Sequence, residues 1–169
     1  MALNREIVLT PGPHGPQAEA VFDLSSTQIP ALAAALAHHR RTRFGGASLE
    51  TEEVLELHGL DALAEQLDGL AAQGGHAPVR SGADGVSALA QAALVYVRER
   101  DTESYQSPEE RERIAALSDL SDPLIELACE LRRAERDQLD ATEPDDRATP
   151  DREARFRRSS DRWHSPSPR

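Results

Sequence analysis

Small apolar residues recur at helical spacing through most of this chain, and this periodicity restricts the fold more than any other feature. Ile29, Leu32, Ala33, Leu36 and Ala37 follow an i, i+3, i+4, i+7, i+8 order, which places them on one face of a helix. The same order returns between Val86 and Val97. Most of the apolar residues are Ala and Leu, and the small Ala side chain buries little area, so the helices must pack closely. The sequence predicts a mainly α fold packed as a small helical bundle.

Extended segments form a minor β element in this prediction. Residues 5–10 (REIVLT) are typical of a short strand, and the segment PGPHGP at 11–16 is typical of a turn. AVFDL at 20–24 and APVR at 77–80 are the other two extended segments. How these segments pair, if they pair, is left open by the sequence.

The chain resembles itself at an offset of about 60 residues, which we interpret as an internal duplication of an extended segment plus three helices. Ser25 or Ser26 can cap the first helix, and Asp84 can cap the helix 57 residues later. Ser48 can cap the next helix of the first copy. Its counterpart begins with Ser107, with Pro108 at the first helical position and Glu110 completing a capping box.

Both copies are then predicted to break before a third helix. The breaks fall at residues 58–61 and 118–121, and the third helices carry Leu63, Leu67 and Leu70 or Leu124, Leu127 and Leu131. The alternative is a chance alignment of two Ala/Leu-rich segments. We divide the chain into an N-terminal strand and Pro/Gly turn (1–18), a first helical repeat (19–75), a second helical repeat (76–140) and a charged tail (141–169), which we expect to be disordered because it has few apolar residues.

The charge of the chain is strongly acidic and unevenly distributed. The formal net charge is −11, and all 19 basic residues are Arg. Residues 44–79 contain seven acids and no Arg, and residues 101–131 contain nine acids and two Arg, so each segment carries −7. An acidic surface repels nucleic acids and anionic membranes. Residues 152–169 differ, because six Arg outnumber two acids there.

Common catalytic and ligand-binding motifs are missing. Without Lys, neither a P-loop nor a Schiff base can form, and no GxSxG or HExxH motif occurs. The single Cys129 lies in LACEL on a predicted helix, where we expect it to be half-buried, and it cannot form an internal disulfide. We therefore expect no catalytic residue, no metal ligand and no cofactor.

Two clusters of arginines are the candidate partner-binding residues. One cluster ends the first helix, and helix capping is its alternative role. The other interleaves Arg with aromatic residues in the tail, a pattern that can grip RNA, single-stranded DNA or an acidic protein surface; its alternative role is solubility. The tail can also fold back on the acidic segments and mask them. The candidates are Arg40, Arg41 and Arg43 in the first cluster, and Arg155, Phe156, Arg157, Arg158, Arg162 and Trp163 in the second.

These features favour a non-catalytic helical interaction or regulatory module with an acidic surface, whose partner is a protein, in particular a basic one. The first alternative is a nucleic-acid-associated regulator that binds through the Arg-rich tail, with help from Arg40–Arg43. The second is an enzyme with a site assembled from scattered residues, such as His58 and nearby acids. The first ten residues do not form a signal peptide and no apolar stretch is long enough to span a bilayer, so we expect a cytoplasmic protein. The oligomeric state is left open.

Overall fold

The protein contains three strands and four helices within the residues that its computed structural model describes, which are 3–12, 15–45, 50–73, 77–103 and 105–142. The prediction of a mainly α fold with a minor β element is confirmed. The elements in chain order are β1 (Arg5–Gly12), β2 (Gly15–Leu24), α1 (Gln28–Phe44), α2 (Thr51–Gln73), β3 (Ala77–Gly82), α3 (Ala83–Asp101) and α4 (Pro108–Thr142).

The three strands form one antiparallel sheet in the order β1-β2-β3. Gly12 pairs with Gly15 at the end of the β1–β2 hairpin, where Gly15 adopts a φ of 128° that other residues rarely adopt. Phe22 of β2 pairs with Val79 of β3. All three extended segments predicted from the sequence are therefore strands, and β2 begins earlier than predicted.

The core lies between one face of this sheet and the helices. Side chains alternate along β2, so that Ala18, Ala20, Phe22 and Leu24 are buried, whereas Gln17 and Asp23 are exposed. α4 packs along α3 and crosses β2, and α1 contacts all three other helices. One continuous hydrophobic cluster joins residues from both predicted repeats.

The predicted breaks at residues 58–61 and 118–121 are wrong, because α2 and α4 continue through them. Each half therefore has two helices rather than three. In α4, Leu117, Leu120, Leu124, Leu127 and Leu131 form one fully buried stripe that spans the break and Pro123. Ser121 Oγ also donates a hydrogen bond to the Leu117 carbonyl at 2.7 Å. Burial of this stripe outweighs the local preference of Ser, Asp and Pro to end a helix.

The predicted caps have mixed outcomes. Ser25 Oγ accepts a bond from the Gln28 N–H at 3.2 Å, and Gln28 Oε1 accepts one from the Ser25 N–H at 2.9 Å, which forms a capping box before α1. Ser107 Oγ accepts a bond from the Glu110 N–H at 3.1 Å, as predicted. The Glu110 carboxylate does not complete the box, because it binds Tyr96 and Arg113 instead. Asp84 does not cap α3, since it lies in the first turn, after Gly82 at the N-cap.

Two expectations fall outside the described residues. One is the helix cap at Ser48, and the other is disorder in the tail from residue 143 onward. The boundary that we placed at residue 141 lies within the last turn of α4. None of the helices in the described part of the chain is long and apolar enough to cross a membrane.

Candidate functional site

A groove of about 660 Å³ runs between α2 and α3. α2 forms one wall and the N-terminal half of α3 forms the other, while Ser81 of β3 and Arg132 of α4 close one end. The lining residues are Leu55, Glu56, Gly59, Leu60 and Leu63 from α2, and Asp84, Gly85, Ser87, Ala88 and Gln91 from α3.

The groove exists because α2 packs mainly on α1 and less on α3. The buried stripe of α2, which includes Leu60, Leu63 and Leu67, faces the core. Leu55 lies off this stripe and leaves 68% of its surface exposed. Gly59 adds no side chain to the α2 wall, and a Cβ there would have nothing within 4 Å. The result is an open apolar surface with a large exposed leucine at its mouth.

Three charged side chains line this apolar surface, namely Glu56 of α2, Asp84 of α3 and Arg132 of α4. The Glu56 carboxylate already accepts a hydrogen bond from Arg43 at 2.9 Å. Across the groove, Asp84 is fully exposed and lies 3.5 Å from Arg132. Arg132 also donates to Ser87 Oγ at 3.1 Å. The two acids outnumber the one Arg in this lining, so the groove slightly favours a cationic occupant.

Arg40 and Arg43 of the first arginine cluster both form ion pairs with acids of α2. Arg40 forms an ion pair with Asp61, and Arg43 binds Glu56 Oε2 at 2.9 Å. Arg41 is exposed and forms no ion pair with any residue that the structure describes. Arg40 and Arg41 border a shallow hollow of about 440 Å³ that Phe44 and Leu57 also line. The other six candidates, Arg155 to Trp163, lie outside the described residues.

A polar cluster joins α1, α3 and α4 at the opposite end of α3 from Asp84. The Tyr96 hydroxyl donates to Glu110 Oε1 at 2.8 Å, and the His38 ring meets Tyr96 edge-on at 5.5 Å between centroids. His38 also pairs with Glu99 at 2.5 Å, and Arg100 pairs with Glu103 at 2.6 Å. Burial raises the pKa of Tyr96, and its hydrogen bond to Glu110 raises it further. These contacts link three helices, and none of these residues lines the groove or the hollow at Phe44.

The remaining reactive groups do not converge. Over the described ranges, no three His, Cys, Asp or Glu side chains lie close enough together to hold a metal ion. Cys129 is exposed on α4, so the expectation of a half-buried thiol is wrong.

Comparison with protein-family models, with curated proteins and with solved structures finds no match to this chain. The groove could not be predicted from the sequence. The apolar pattern placed Leu60 and Leu63 near a predicted helix break and did not indicate that they line a groove. One sequence feature pointed there, because Leu55 falls outside the apolar stripe of its helix. A single exposed apolar residue is common on protein surfaces, however, and does not by itself mark a binding site.

Proposed function

We propose that this protein is a non-catalytic interaction module, and that the groove between α2 and α3 holds a segment of a protein partner. The exposed side chain of Leu55, next to Glu56 in the α2 wall of the groove, carries this proposal. A single leucine with 68% of its surface exposed does not by itself indicate a binding site, but the side chain of Leu55 also lines the groove. A partner segment that alternates apolar and basic residues fits both features, since grooves between helices commonly bind such segments.

The alternatives have less support. The nucleic-acid hypothesis relies partly on Arg40–Arg43, and the ion pairs to Asp61 and Glu56 reduce the charge that two of these residues offer to phosphates. The enzyme hypothesis relies on His58 and nearby acids. His58 is exposed on α2 and is not among the residues that line the groove, so it does not combine with the polar residues there.

We also propose that the module arose by duplication of a strand followed by two helices, β2-α1-α2 and β3-α3-α4. An offset of 57 residues converts Phe22 into Val79, and these two residues are also paired across the sheet. The same offset exchanges the pair Ala20–Ser81 with the pair Leu24–Ala77, which is the pattern of a two-fold axis between Phe22 and Val79. Buried positions agree as well: Ile29 with Val86, Leu32 with Leu89, Ala35 with Ala92, Leu36 with Ala93, and His39 with Tyr96.

The groove proposal is tested by affinity capture with three full-length forms of the protein. These are the unmodified chain, Leu55→Asp, and Leu94→Asp as a matched control. Leu94 is also an exposed leucine on a helix, at 45% exposure, but it does not line the groove. All three forms should unfold at similar denaturant concentrations, because both leucines are exposed.

The expected result is a stoichiometric protein that the unmodified chain and Leu94→Asp retain after nuclease treatment, and that Leu55→Asp loses. A small loss of capture at high salt is expected too, because Glu56 and Asp84 line the groove. Equal capture by Leu55→Asp would reject the groove as the binding surface. Loss of all captured material on nuclease treatment would favour the nucleic-acid alternative instead.

A further inference from the structure

We infer that the C-terminal segment of this chain occupies the groove between α2 and α3 and competes there with the partner. This inference rests on the proposed function, since it assigns the same groove. It identifies the occupant as the basic, aromatic segment from Arg155 to Trp163, so the module is masked until a partner displaces that segment.

Chemical complementarity is the first argument. The groove combines an apolar floor, which includes Leu60 and Leu63, with the exposed Leu55 and the carboxylates of Glu56 and Asp84. Within residues 143–169, aromatic side chains occur only at Phe156 and Trp163, and each is directly preceded by Arg. Burial of an aromatic ring contributes the largest apolar area per residue, and adjacent arginines can meet the carboxylates of Glu56 and Asp84. No other segment outside the described residues has this composition.

The chain between the end of α4 and Phe156 is long enough to return to the groove. Arg132 lines the groove, and α4 continues from there to Thr142, a rise of about 15 Å along the helix. Residues 143–154 can span about 40 Å when extended, which exceeds the return distance. Phe156 can therefore enter the groove without any change in α4. A covalently linked segment also acts at an effective concentration in the millimolar range, so a weak contact suffices to fill the groove.

The chain contains its own reporter, because Trp163 is the only tryptophan. The test measures Trp163 emission and its quenching by acrylamide in the full-length chain, with a synthetic peptide of residues 143–169 as the solvent-exposed reference. Leu55→Asp and the matched control Leu94→Asp are measured alongside. Far-ultraviolet circular dichroism establishes that both variants keep their helices.

We expect emission at shorter wavelength than the peptide, and quenching several-fold slower, in the unmodified chain and in Leu94→Asp. Leu55→Asp should shift both quantities to the peptide values, and raised salt should shift them part of the way. Three results would overturn the inference: peptide-like emission in the unmodified chain, protection that survives Leu55→Asp, or protection that grows with protein concentration. The last would place the segment in the groove of a second copy.

The masking inference and the proposed function can fail independently, and the two experiments together distinguish these cases. If Trp163 is fully exposed while capture of the partner still depends on Leu55, the groove binds a partner and the masking inference alone fails. If Trp163 is protected and no partner depends on Leu55, the groove serves only its own chain and the proposed function fails. If both hold, Trp163→Ala should capture more partner than the unmodified chain does.

Discussion

Burial of His39 links the stability of the fold to pH. The ring is almost wholly enclosed at the end of α1, where burial lowers its pKa below the ordinary value of 6.5. The nearby charge of Arg43 lowers the pKa further and His38 adds to this, whereas Glu56 opposes it. The folded protein therefore holds His39 neutral at pH values where the unfolded chain would already bind a proton.

The free energy of unfolding should fall as the pH drops below about 6.5, because His39 then binds a proton in the unfolded state and stays neutral in the folded state. The stabilising contribution is complete above that pH and is lost progressively down to the lower, folded-state pKa. His39→Leu keeps a buried apolar side chain and removes the titration, so its unfolding free energy should vary less across this window. Urea unfolding at a series of pH values measures the difference, with the exposed His58→Asn as control. Parallel curves for His39→Leu and the unmodified chain would contradict the assignment.

Tyr96 stabilises the junction of three helices through one hydroxyl. Its bond to Glu110 at 2.8 Å joins α3 to the first turn of α4, and Arg113 holds the second oxygen of the same carboxylate at 3.3 Å. Tyr96→Phe leaves the ring in place and removes the donor, which should cost about 1–2 kcal/mol of unfolding free energy. Tyr105→Phe is the control, because Tyr105 is 85% exposed and should change stability by less than about 0.5 kcal/mol. Similar losses in the two variants would show that the hydroxyl of Tyr96 contributes nothing specific.

At the scale of the helices, substitution of two glycines by Ala should change the stability of the protein in opposite directions. Gly69 lies within α2, and a Cβ there would have no atom within 4 Å, so Gly69→Ala should stabilise the protein by about 0.5–1 kcal/mol. Gly85 lies in the first turns of α3, where a Cβ would overlap Ser81 Oγ and approach Leu63 Cδ1 to 3.3 Å. Gly85→Ala should therefore destabilise the protein despite its higher helix propensity. Thermal unfolding of both variants tests these two expectations. A higher unfolding temperature for both would mean that Ser81 of β3 moves to accommodate the new Cβ on α3.

The helices and strands were largely predictable, because each follows from local spacing and from turn residues. The continuity of α2 and α4 was not predictable from local signals, because local propensity and burial oppose each other at residues 58–61 and 118–121. Pro123 costs about 3 kcal/mol in a helix interior and Gly59 about 1 kcal/mol, yet each of the buried leucines Leu120, Leu124 and Leu127 contributes about 1.5–3 kcal/mol. The burial of these leucines therefore decides that α4 continues through the predicted break.

The site was less predictable than the elements for a different reason. A groove depends on how far apart two helices pack, and the spacing of apolar residues in either helix does not specify that distance. The arginine cluster illustrates the same limit, because Arg40 and Arg43 find their acids on α2 only after α1 and α2 pack together. Sequence identifies the charges and the apolar stripes, whereas their juxtaposition is a property of the assembled fold.

At the scale of the whole molecule, the groove marks the place where the proposed two-fold relation is incomplete. The relation exchanges α1 with α3 and α2 with α4, so the α2–α3 groove corresponds to the contact between α4 and α1. That second contact is closed, because α4 packs against α1 as well as α3. Ala31 of α1 is accordingly fully buried, whereas its counterpart Ala88 on α3 lines the groove and is only half-buried.

This asymmetry predicts unequal effects of one substitution at equivalent positions. Ala31→Leu adds volume to a site with no free surface and should cost about 1–3 kcal/mol of unfolding free energy. Ala88→Leu projects the same volume into the groove and should change stability by less than about 0.5 kcal/mol. Leu32→Ala and Leu89→Ala are the control pair, because both leucines are fully buried, so each should cost about 2–5 kcal/mol. Denaturant unfolding of the four variants measures all these values. Equal losses for Ala31→Leu and Ala88→Leu would mean that α2 closes on α3 in solution and that the groove is not open to an occupant.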